Sequence, residues 1–546
     1  MRKILKLNHN HYPFRVKVLG KNIPCGITDQ TRMKHLVINA VCILLIVLGV
    51  LMAVLHSKIT FVDDAWITFR YSANLANTGQ LVFNPGEKIE GLSNLLWGLI
   101  IASVSIILPL SIPVIATSCA LLLITGSLIL LWRVGVLLDL NPLPALIAPM
   151  LLVLTSGFFK ASTNGLEIPL FLFLSISVVF FFLREQFILC FIFLGLLFLT
   201  RIEAIGIGLF FIVLLLILGK KEKRKSAFIG IGIFLGIVLA ATLFRISYFG
   251  DFIPNSVRDK QIPINSGLIL SGIRYILEFF LNYPVFAIVI FAGLLVLLRQ
   301  ILIAGIKPFY QSLCTERVRK LLVIVLACIL FSFVVILKNG GDWMPNYRLI
   351  FQYGILMACL VIVLLKEKSI SVVLGIALLI GPFIHTADLV LYRIRHEENF
   401  QIAEFSAGMP FWKEAVDNLS DNLINSDIVS AEAIGYIGYN LPHVSIHDPL
   451  GLIDHHIALH GKPAIPFGKT DIVYTVEQIM PSVLIWHYSG HLDDLYLPEI
   501  DQLYTTFCYQ ECESWNADVV MIRADRVADF VNDFEDWKVI TLKSLQ

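Results

Sequence analysis

Two adjacent carboxylates, Asp63 and Asp64, directly follow the first long apolar stretch of the sequence. Neighbouring like charges separate their proton affinities, and one of the two then gains a raised pKa that suits a general base. An Asp in front of a helix can instead accept backbone N–H bonds as a cap. Spacing alone therefore leaves two interpretations of the pair, a base that takes a proton from a hydroxyl or a helix cap.

The polar segment that begins with this pair continues through residue 94. An amphipathic helix is expected first, with Arg70 on its polar side and its axis along a membrane interface. A turn that starts at Asn84 follows, and Glu87 and Glu90 come after it. These two acidic side chains are either solvated charges or part of a site.

Two later positions combine charge with the start of an apolar stretch: Glu167, and Glu203 beside Arg201. Negative charge at a helix N-terminus suits the helix dipole. Charged side chains at membrane depth also tend to face the interior of the helix bundle or a water-filled cavity. Both interpretations remain open for these residues.

Two turns, at 248–255 and 339–348, are rich in Gly and Pro. Each contains one Asp, and a basic residue follows shortly after that Asp. The first turn contains Asn255 and precedes Arg258, and the second contains Asp342 and ends at Arg348. A guanidinium presents a planar fork that fits a phosphate group at the interface. The alternative is that each Arg only anchors a helix end by extending to the interface.

Histidines and aspartates are dense between residues 443 and 460, where His447 precedes Asp448 and Asp454 precedes two histidines. Their spacing matches no standard zinc pattern. We therefore expect a surface loop and no metal site, and Asp448 remains a candidate substrate ligand.

A membrane-embedded framework must position these residues, because 57% of the chain is hydrophobic and only 15% is charged. Apolar stretches of about 18 residues or more predict membrane-spanning helices, since backbone groups in lipid must pair internally. The predicted fold class is a polytopic α-helical membrane protein. Its clearest stretches are 36–56, 165–183, 226–244, 283–298, 321–337, 347–365 and 369–390. Basic residues lie in the short loops between them, which indicates topology and no nucleic-acid partner.

Loop charge predicts the orientation of these helices. The first 35 residues hold eight basic side chains and the run 220–225 is rich in Lys, so both belong in the cytoplasm. We expect about eleven crossings within 36–390, an external loop at 57–93 and an external tail at 391–546. Residues 95–159 contain three short apolar segments. Both ends of this stretch are expected on the outside, which requires an even number of crossings, so one segment does not span.

The tail from residue 391 is acidic, with 9 Lys and Arg against 24 Asp and Glu. Its apolar runs at 427–431, 444–447, 482–486 and 518–522 alternate with helical patterns, which predicts a soluble α/β domain. Cys508 and Cys512 are close enough in sequence for a disulfide if the tail meets an oxidising compartment.

Six segments carry a resemblance to a known superfamily, in the order DDAWITFRYSANLANTGQLVFNPGEKIEGLSNLLW (63–97), NGLEIPLF (164–171), TRIEA (200–204), YFGDFIPNS (248–256), GGDWMPNYR (340–348) and HDPLGLIDHHIA (447–458). Together they resemble the GT-C superfamily of polyprenyl-phosphate-dependent glycosyltransferases. The nearest likeness is to the mycobacterial terminal arabinofuranosyltransferase type, which adds a capping β-linked arabinose.

This resemblance implies a multi-pass enzyme of the bacterial inner membrane. It would transfer a sugar from a polyprenyl phosphate to a cell-envelope glycan or lipid on the outer face, usually with inversion. Asp63 or Asp64 would be the base. The other candidate residues would bind substrate or the departing phosphate: Arg70, Asn84, Glu87, Glu90, Glu167, Arg201, Glu203, Asn255, Arg258, Asp342, Arg348 and Asp448. No cofactor is implied, although some branches of the superfamily recruit a divalent cation.

The sequence departs from the family's pattern at two of these segments. Ile202 stands where the family often has Pro between Arg and Glu, and Ile168 stands where it has Thr after Gly-Leu-Glu. These departures leave the reaction class intact but put the donor sugar in question. Two other classes of function compete, a transporter or flippase of lipid-linked sugars and a non-catalytic scaffold for envelope assembly.

Overall fold

The computed structural model describes residues 15–18, 21–24, 29–56, 59–259, 264–342, 344–383, 403–404, 410–463, 468–486, 497–510, 512 and 517–545. The part up to residue 383 is a helical bundle. Its helices are α1 (Asp29–His56), α2 (Asp63–Thr78), α3 (Leu95–Ile107), α4 (Ile112–Leu137), α5 (Pro142–Ala145), α6 (Ile147–Val153), α7 (Ser156–Ser162), α8 (Ile168–Leu183), α9 (Phe187–Thr200), α10 (Ala204–Leu218), α11 (Arg224–Phe249), α12 (Asn255–Asp259), α13 (Ser266–Asn282), α14 (Pro284–Ala304), α15 (Ile306–Thr315), α16 (Arg317–Asn339), α17 (Arg348–Phe351), α18 (Gly354–Lys366) and α19 (Val372–Ala377).

Several of these helices are long and apolar enough to cross a membrane. Within the described residues, α1, α4, α11, α14 and α16 each contain such a segment, and Pro142–Val153 with Ser156–Ser162 forms a sixth that bends by 69°. Shorter apolar helices are α3, α8, α9, α10, α18 and the segment Val372–Phe383. The chain is therefore a polytopic helical membrane protein, as its composition predicts.

The centre of the bundle is α18, whose residues from Gly354 to Leu365 are all buried. A helix that is apolar and covered on every side must lie inside a bundle. In contrast, α11 exposes Leu235, Leu239 and Leu243, which leaves that side of α11 for lipid.

The helix predicted at 347–365 is broken in the structure. The short α17 ends at Phe351 and α18 begins at Gly354, and a 3₁₀ turn (Pro345–Tyr347) precedes α17. Asn346 and Tyr347 have φ of 69° and 51°, a left-handed conformation that cannot continue an α-helix. The stretch predicted at 369–390 is helical over Val372–Phe383, and its last part, 384–390, lies outside the described residues.

The C-terminal part contains a six-stranded mixed sheet. The strands of the chain are β1 (Arg15–Val18), β2 (Lys21–Pro24), β3 (Ile59–Thr60), β4 (Ala403–Glu404), β5 (Ile428–Ala431), β6 (Ser445–His447), β7 (Lys462–Pro463), β8 (Lys469–Thr470), β9 (Val483–Trp486), β10 (Tyr504–Tyr509), β11 (Asp518–Arg523) and β12 (Lys538–Ile540). The sheet order is β12-β10-β11-β9-β5-β6, with β9, β5 and β6 parallel and the other pairs antiparallel. The four apolar runs read from the sequence overlap β5, β6, β9 and β11. A disulfide joins Cys508 to Cys512 at the end of β10.

Helices accompany this sheet at Pro410–Leu419, Ile434–Asn440, His455–His460, Ile472–Tyr474, Ile500–Leu503 and Val527–Phe530. One of them, Ile434–Asn440, packs on α2 and is called the docking helix below. The parallel pairing of β3 with β4 also joins the start of the first polar loop to the start of the tail. The C-terminal part is therefore attached to the loop that carries Asp63 and Asp64.

Candidate active site

Asp63 caps a helix, but the helix belongs to the C-terminal part. The N-cap residue of α2 is Val62, and no side chain caps α2. The two carboxylate oxygens of Asp63 instead accept hydrogen bonds from the backbone N–H groups of Gly435 (3.0 Å) and Tyr436 (2.8 Å). These are orphan donors in the first turn of the docking helix, and a carboxylate also suits the positive end of the helix dipole.

The contact between α2 and the docking helix is close. A Cβ atom on Gly435 would lie 2.0 Å from the backbone oxygen of Asp63, so only Gly allows this approach. Trp66 packs its ring edge-on against Tyr436, with ring centroids 5.4 Å apart, and contacts Tyr439 at 5.0 Å. Aromatic packing thus reinforces the two hydrogen bonds of Asp63.

The environment of Asp63 raises its pKa to about 7. Burial is the largest cause, and the negative charges of Asp64 and Asp448 add to it, while the two amide hydrogen bonds act in the opposite direction. Asp63 therefore has a raised pKa of the kind that suits a general base, although both of its oxygens already accept hydrogen bonds.

Asp64 points to a different set of partners. Its Oδ2 lies 3.6 Å from Nη1 of Arg348, and Nε of Arg348 donates to Oδ2 of Asp342 at 2.5 Å. The Asp64 side chain is 26% exposed, whereas that of Asp342 is only 4% exposed. Arg348 is therefore fixed by Asp342 and only loosely paired with Asp64.

The backbone before Arg348 is strained. Asn346 and Tyr347, two consecutive residues other than Gly, adopt the left-handed conformation. Each such residue costs of order 1 kcal/mol or more, and such strain clusters at functional sites. The hydroxyl of Tyr347 accepts a hydrogen bond from Nδ2 of Asn282 (2.7 Å), which helps to hold the turn.

A second charged cluster joins the loops before α8 and α10. Arg201 donates to Glu167 at 2.6 Å and to Glu203 at 2.5 Å. The other oxygen of Glu167 accepts from Nδ2 of Asn94 at 2.9 Å, and Oδ1 of Asn94 accepts from the hydroxyl of Thr68 at 3.1 Å. A chain of polar contacts therefore connects α2 to the loops at 167 and 201.

The loop before α8 rests against the first polar loop. Gly165 has φ of 89°, and a Cβ there would lie 2.6 Å from Cβ of Ala65. The carbonyl of Gly165 accepts from the indole of Trp97 (3.0 Å), and the carbonyl of Asn164 accepts from the backbone of Val62 (3.2 Å). These contacts position Glu167.

The two charged clusters act on each other. Burial raises the pKa of Glu167, but Arg201, Asn94 and Arg348 together bring it below the ordinary value. The charge of Arg201 in turn acts on Arg348. The structure thus brings together five of the predicted site residues with Asp64: Glu167, Arg201, Glu203, Asp342 and Arg348.

Arg70 does not reach this cluster, although the sequence suggested it as a phosphate ligand. It is 2% exposed, and its guanidinium donates to the carbonyls of Phe83 (2.8 Å), Gly438 and Val444 (3.0 Å). It also reaches Oδ1 of Asn84 at 3.3 Å. With its donors occupied by carbonyls, Arg70 joins α2 to the C-terminal part.

Asn84, Glu87 and Glu90 also have structural partners. Nδ2 of Asn84 donates to the carbonyl of Ile446 (2.7 Å) and to Glu87 (3.0 Å), and the side chain of Glu87 is otherwise exposed. Glu90 forms a buried ion pair with Arg245, with Nε 3.0 Å from both carboxylate oxygens. Asn84 and Glu90 thus hold the first polar loop against its neighbours, and Glu87 stabilises Asn84 within the loop.

Asn255 and Arg258 lie beside the loop 448–454. Nδ2 of Asn255 donates to the carbonyls of Gly451 (2.8 Å) and Leu452 (3.0 Å). Arg258 pairs with Asp251, and its Nε is buried without a hydrogen-bond partner among the described residues. Of the candidate arginines, only Arg258 has such a buried donor without a partner.

The surface loop expected between residues 443 and 460 is present only in part: His443, His455 and His460 are exposed, but His447 and Asp448 are buried. His447 and Asp448 are 6% and 1% exposed. The carboxylate of Asp448 accepts from the backbones of Leu450 (2.9 Å) and Ile453 (3.0 Å), and burial raises its pKa to about 7. The segment is buried because it fills the space between the sheet and the loop that contains Asn255.

His447 is held between two polar side chains. Nδ1 lies 3.0 Å from the hydroxyl of Ser430, and Nε2 lies 3.6 Å from Asp454. Burial lowers the pKa of His447 to about 4, so its imidazole is neutral at pH 7. Ser430 is fully buried, which leaves it without access to a substrate.

Within the described residues, no group of three or more His, Cys, Asp and Glu is arranged to hold a metal ion. Asp64 and Asp342 both lie beside Arg348, with carboxylate oxygens 3.6 Å and 2.5 Å from its guanidinium nitrogens. A divalent cation there would have to compete with the guanidinium.

Sequence reasoning missed four residues that complete these contacts: Asn94, Arg245, Gly435 and Tyr436. Arg245 was detectable as a charge inside a long apolar helix, since such charges need a partner. Asn94 carried no signal beyond its place in the segment 63–97. Gly435 and Tyr436 contribute backbone N–H groups, and every residue other than Pro has one, so their residue types do not indicate this role.

No family model matches the sequence, and no curated protein matches it. Solved structures do resemble it. The oligosaccharyltransferase from Archaeoglobus fulgidus in the apo form aligns with a TM-score of 0.55 and 10% identity, over 88% of this chain and 74% of that one. ArnT from Cupriavidus metallidurans bound to undecaprenyl phosphate aligns with a TM-score of 0.52 and 11% identity, over 89% of this chain and 98% of that one. These likenesses show that the chain shares the fold of both proteins, and the GT-C superfamily and the arabinofuranosyltransferase type stay predictions.

Proposed function

We propose that this protein is a membrane glycosyltransferase that moves a sugar from a polyprenyl phosphate to a cell-envelope glycan or lipid. The observation that carries the proposal is the joint placement of Asp64, Arg348 and Arg201 in one charged cluster. The similarity in fold to a protein crystallised with undecaprenyl phosphate supports the same donor class. A base beside two cations is the set of groups that this reaction needs.

Asp64 is the base in this proposal, and Asp63 positions it. Both oxygens of Asp63 accept backbone hydrogen bonds, while Asp64 is partly exposed and only loosely paired. Asp64 takes the proton of the acceptor hydroxyl as its oxygen attacks the anomeric carbon. The bond from that carbon to the phosphate oxygen breaks, and polyprenyl phosphate leaves with the electron pair. Attack opposite to the leaving group inverts the anomeric centre.

Arg348 and Arg201 stabilise the departing phosphate. Its negative charge increases as the bond breaks, and fixed guanidinium groups that meet this charge lower the barrier. Arg348 is held by Asp342, and Arg201 by Glu167 and Glu203, so both cations are oriented before substrate binds. Arg258, whose Nε has no hydrogen-bond partner among the described residues, is a third candidate for contact with a substrate anion.

The topology supports an outer-face reaction with eleven crossings. Nζ of Lys366 lies 4.0 Å from a carboxylate oxygen of Asp139, so the turn after α4 is on the same side as the basic turn 366–368. Trp97, near the start of α3, contacts Gly165 on the other side. In this arrangement α4 and the bent pair α6–α7 cross, and α3 is the segment that does not. The N-terminus is then cytoplasmic and the C-terminal α/β domain external, in the bacterial inner membrane.

The C-terminal part shapes the acceptor side of the site. Its docking helix contacts Asp63, and its loop 448–454 binds Asn255. An arabinofuranose or another pentose or hexose is the proposed donor sugar. No cofactor is proposed.

Reconstitution with a labelled polyprenyl-phosphate sugar and an acceptor glycan tests the reaction. We expect labelled glycan from the native protein, and a loss of about 10²–10⁴-fold in rate for Asp64→Asn, the range of a positioned general base. Asp63→Asn should keep a larger share of the rate. Movement of labelled lipid between leaflets without any glycan product would replace the proposal with a flippase. Full activity of Asp64→Asn would refute its role as the base.

A further inference from the structure

A basic crevice lies at the opposite end of α8 from Glu167. It is lined by Glu185, Lys220, Lys223 and Lys320. The 16 residues of α8 separate it from Glu167 by about 24 Å, at 1.5 Å per residue. The crevice is therefore remote from the candidate active site.

One carboxylate meets three ammonium groups in this crevice. Nζ of Lys220 lies 2.6 Å from Oε1 of Glu185, and Nζ of Lys320 lies 3.8 Å from the same oxygen. The longer distance exceeds a hydrogen bond. Lys223 forms no ion pair with the part of the chain that the structure describes. Among the described residues, Lys223 thus has no ion pair, and Lys320 shares with Lys220 a single carboxylate that is hydrogen-bonded only to Lys220.

The ionised state of Glu185 does not remove this excess. Burial raises the pKa of Glu185, but the hydrogen bond and charge of Lys220, followed by the charges of Lys320 and Lys223, bring it below its ordinary value. Glu185 therefore already contributes its full negative charge at neutral pH, and the crevice remains net positive.

Lys320 is the least solvated of these cations. Its side chain is 9% exposed, compared with 48% for Lys220. A covered ammonium group without a hydrogen-bonded anion is costly. A ligand that supplies an anion next to Lys320 removes this cost.

The remaining wall of the crevice is apolar. It consists of Phe182, Phe187, Leu215 and Leu218, from the ends of α8, α9 and α10. An anionic group beside such a wall is the combination that a phospholipid offers, a phosphate attached to acyl chains. Basic pockets between membrane helices are known to take lipid headgroups of this kind.

We propose that the basic crevice binds the phosphate of an anionic phospholipid from the leaflet opposite to the candidate active site. Lys320, Lys223 and Lys220 contact the phosphate, and an acyl chain lies against Phe182 and Leu215. Glu185 sets the strength of binding, because it partly neutralises the same cations. The proposal is independent of the transferase function.

Native mass spectrometry of the full-length protein, released from nanodiscs, measures retained lipid. We expect phosphatidylglycerol to be retained and phosphatidylcholine to be lost. Lys320→Gln and Lys223→Gln should each weaken retention by about tenfold, the effect of one charge-assisted contact. Lys320→Arg should preserve it. Lys366→Gln, which removes a basic residue outside the crevice, is the matched control and should have no effect.

Glu185→Gln separates the proposal from a purely structural ion-pair cluster. Removal of the carboxylate leaves three cations for the phosphate, so retention of phosphatidylglycerol should rise. Equal retention in Lys320→Gln, Lys223→Gln and the native protein would overturn the proposal, and so would equal retention of the two lipids. Displacement of the lipid by millimolar inorganic phosphate would show a site for free anions and overturn the assignment to phospholipid.

Discussion

Nη1 of Arg348 lies 3.6 Å from Oδ2 of Asp64, while Nε of the same residue is held at 2.5 Å by Asp342. The first distance is too long for a direct hydrogen bond. Asp64 is thus close to the positive charge of Arg348 but is not hydrogen-bonded to it. Its oxygens therefore remain available to a hydroxyl group. Asp64 differs in this respect from Asp63, whose two carboxylate oxygens both accept backbone hydrogen bonds.

The first prediction concerns the two arginines of the cluster. Arg348→Lys and Arg201→Lys keep a positive charge but lose the planar fork, so we expect transfer to fall by about 10²–10³-fold, the usual effect of removing one fixed donor to a developing anion. Steady-state kinetics with a labelled donor measures this. Arg274→Lys, in the exposed pair with Glu278, should retain full activity. Unchanged rates in both cluster variants would contradict the assignment of the phosphate site.

The second prediction concerns the contact between Asp63 and the docking helix. Gly435→Ala places a methyl group against the backbone of Asp63, and Asp63→Asn removes the carboxylate that accepts two amides. Each change should weaken docking by about 2 kcal/mol, the value of hydrogen bonds to a charged group. Hydrogen exchange across Ile434–Asn440 should become about thirtyfold faster.

Asn440→Ala is the control for this second prediction. It removes a hydrogen bond to the carbonyl of Tyr436 at the other end of the same helix and leaves Asp63 untouched. If Gly435→Ala exchanges no faster than Asn440→Ala, Asp63 does not hold the docking helix.

The third prediction concerns the buried ion pair between Glu90 and Arg245. Their side chains are 3% and 4% exposed. Glu90→Gln leaves Arg245 without a counter-charge, which should cost about 3–5 kcal/mol of stability. Thermal unfolding of the purified protein should show a Tm lower by several degrees. Glu278→Gln breaks an exposed pair and should change stability by less than about 1 kcal/mol. Similar effects of the two substitutions would be the contrary result.

The fourth prediction concerns pH. The pKa of His447 is about 4 in the folded protein and 6.5 in its ordinary state, so the unfolded chain takes up a proton first as pH falls. Stability is therefore lost as pH drops from 6.5 towards 4, by about 3 kcal/mol in total. Asp63 and Asp448, with pKa near 7, act in the opposite direction over the same range.

A comparison of two proteins isolates the contribution of His447. The native protein and His447→Gln share both aspartates, so the difference between their unfolding curves at pH 7 and pH 4.5 reports the imidazole alone. We expect His447→Gln to lose less stability on acidification than the native protein does. Parallel curves would mean that His447 is not held in its neutral form.

The fifth prediction uses the disulfide between Cys508 and Cys512. An external tail meets an oxidising compartment, so these thiols should resist maleimide labelling in intact cells until a reductant is added. The double variant Cys508→Ala, Cys512→Ala should lose about 2 kcal/mol of stability, as expected for a bridge across four residues. Ready labelling without reductant would place the tail on the cytoplasmic side.

Most features that depend on neighbouring residues in the sequence, such as helices, strands and charges at helix ends, were predicted correctly. Apolar stretches identified the helices, and four apolar runs in the tail identified strands β5, β6, β9 and β11. Glu167, Arg201 and Glu203 were candidates because charge at the end of an apolar helix is costly without a partner. The structure supplies that partner for each of them within the same cluster.

Long-range contacts were beyond sequence reasoning. Arg70 and Asp63 are polar residues on one short helix, and nothing nearby indicates that backbone groups of a distant domain occupy both. The same limit explains the incorrect surface loop at His447, because its burial depends on packing between the sheet and the loop at Asn255. The left-handed residues Asn346 and Tyr347 fall within the predicted turn 339–348, but the break between α17 and α18 was missed because neither Gln352 nor Tyr353 is a Gly or Pro.

The hydrogen bond from Gly435 to Asp63 also has a consequence for biosynthesis. The two residues are 372 positions apart. At translation rates of about 5–20 residues per second, Asp63 emerges roughly 20 to 70 s before its partner. During that interval the central helices are inserted while the carboxylate of Asp63 lacks the two backbone donors of the docking helix. The charged cluster therefore reaches its final form only once the last domain has been delivered, so a truncated chain stays without a finished site.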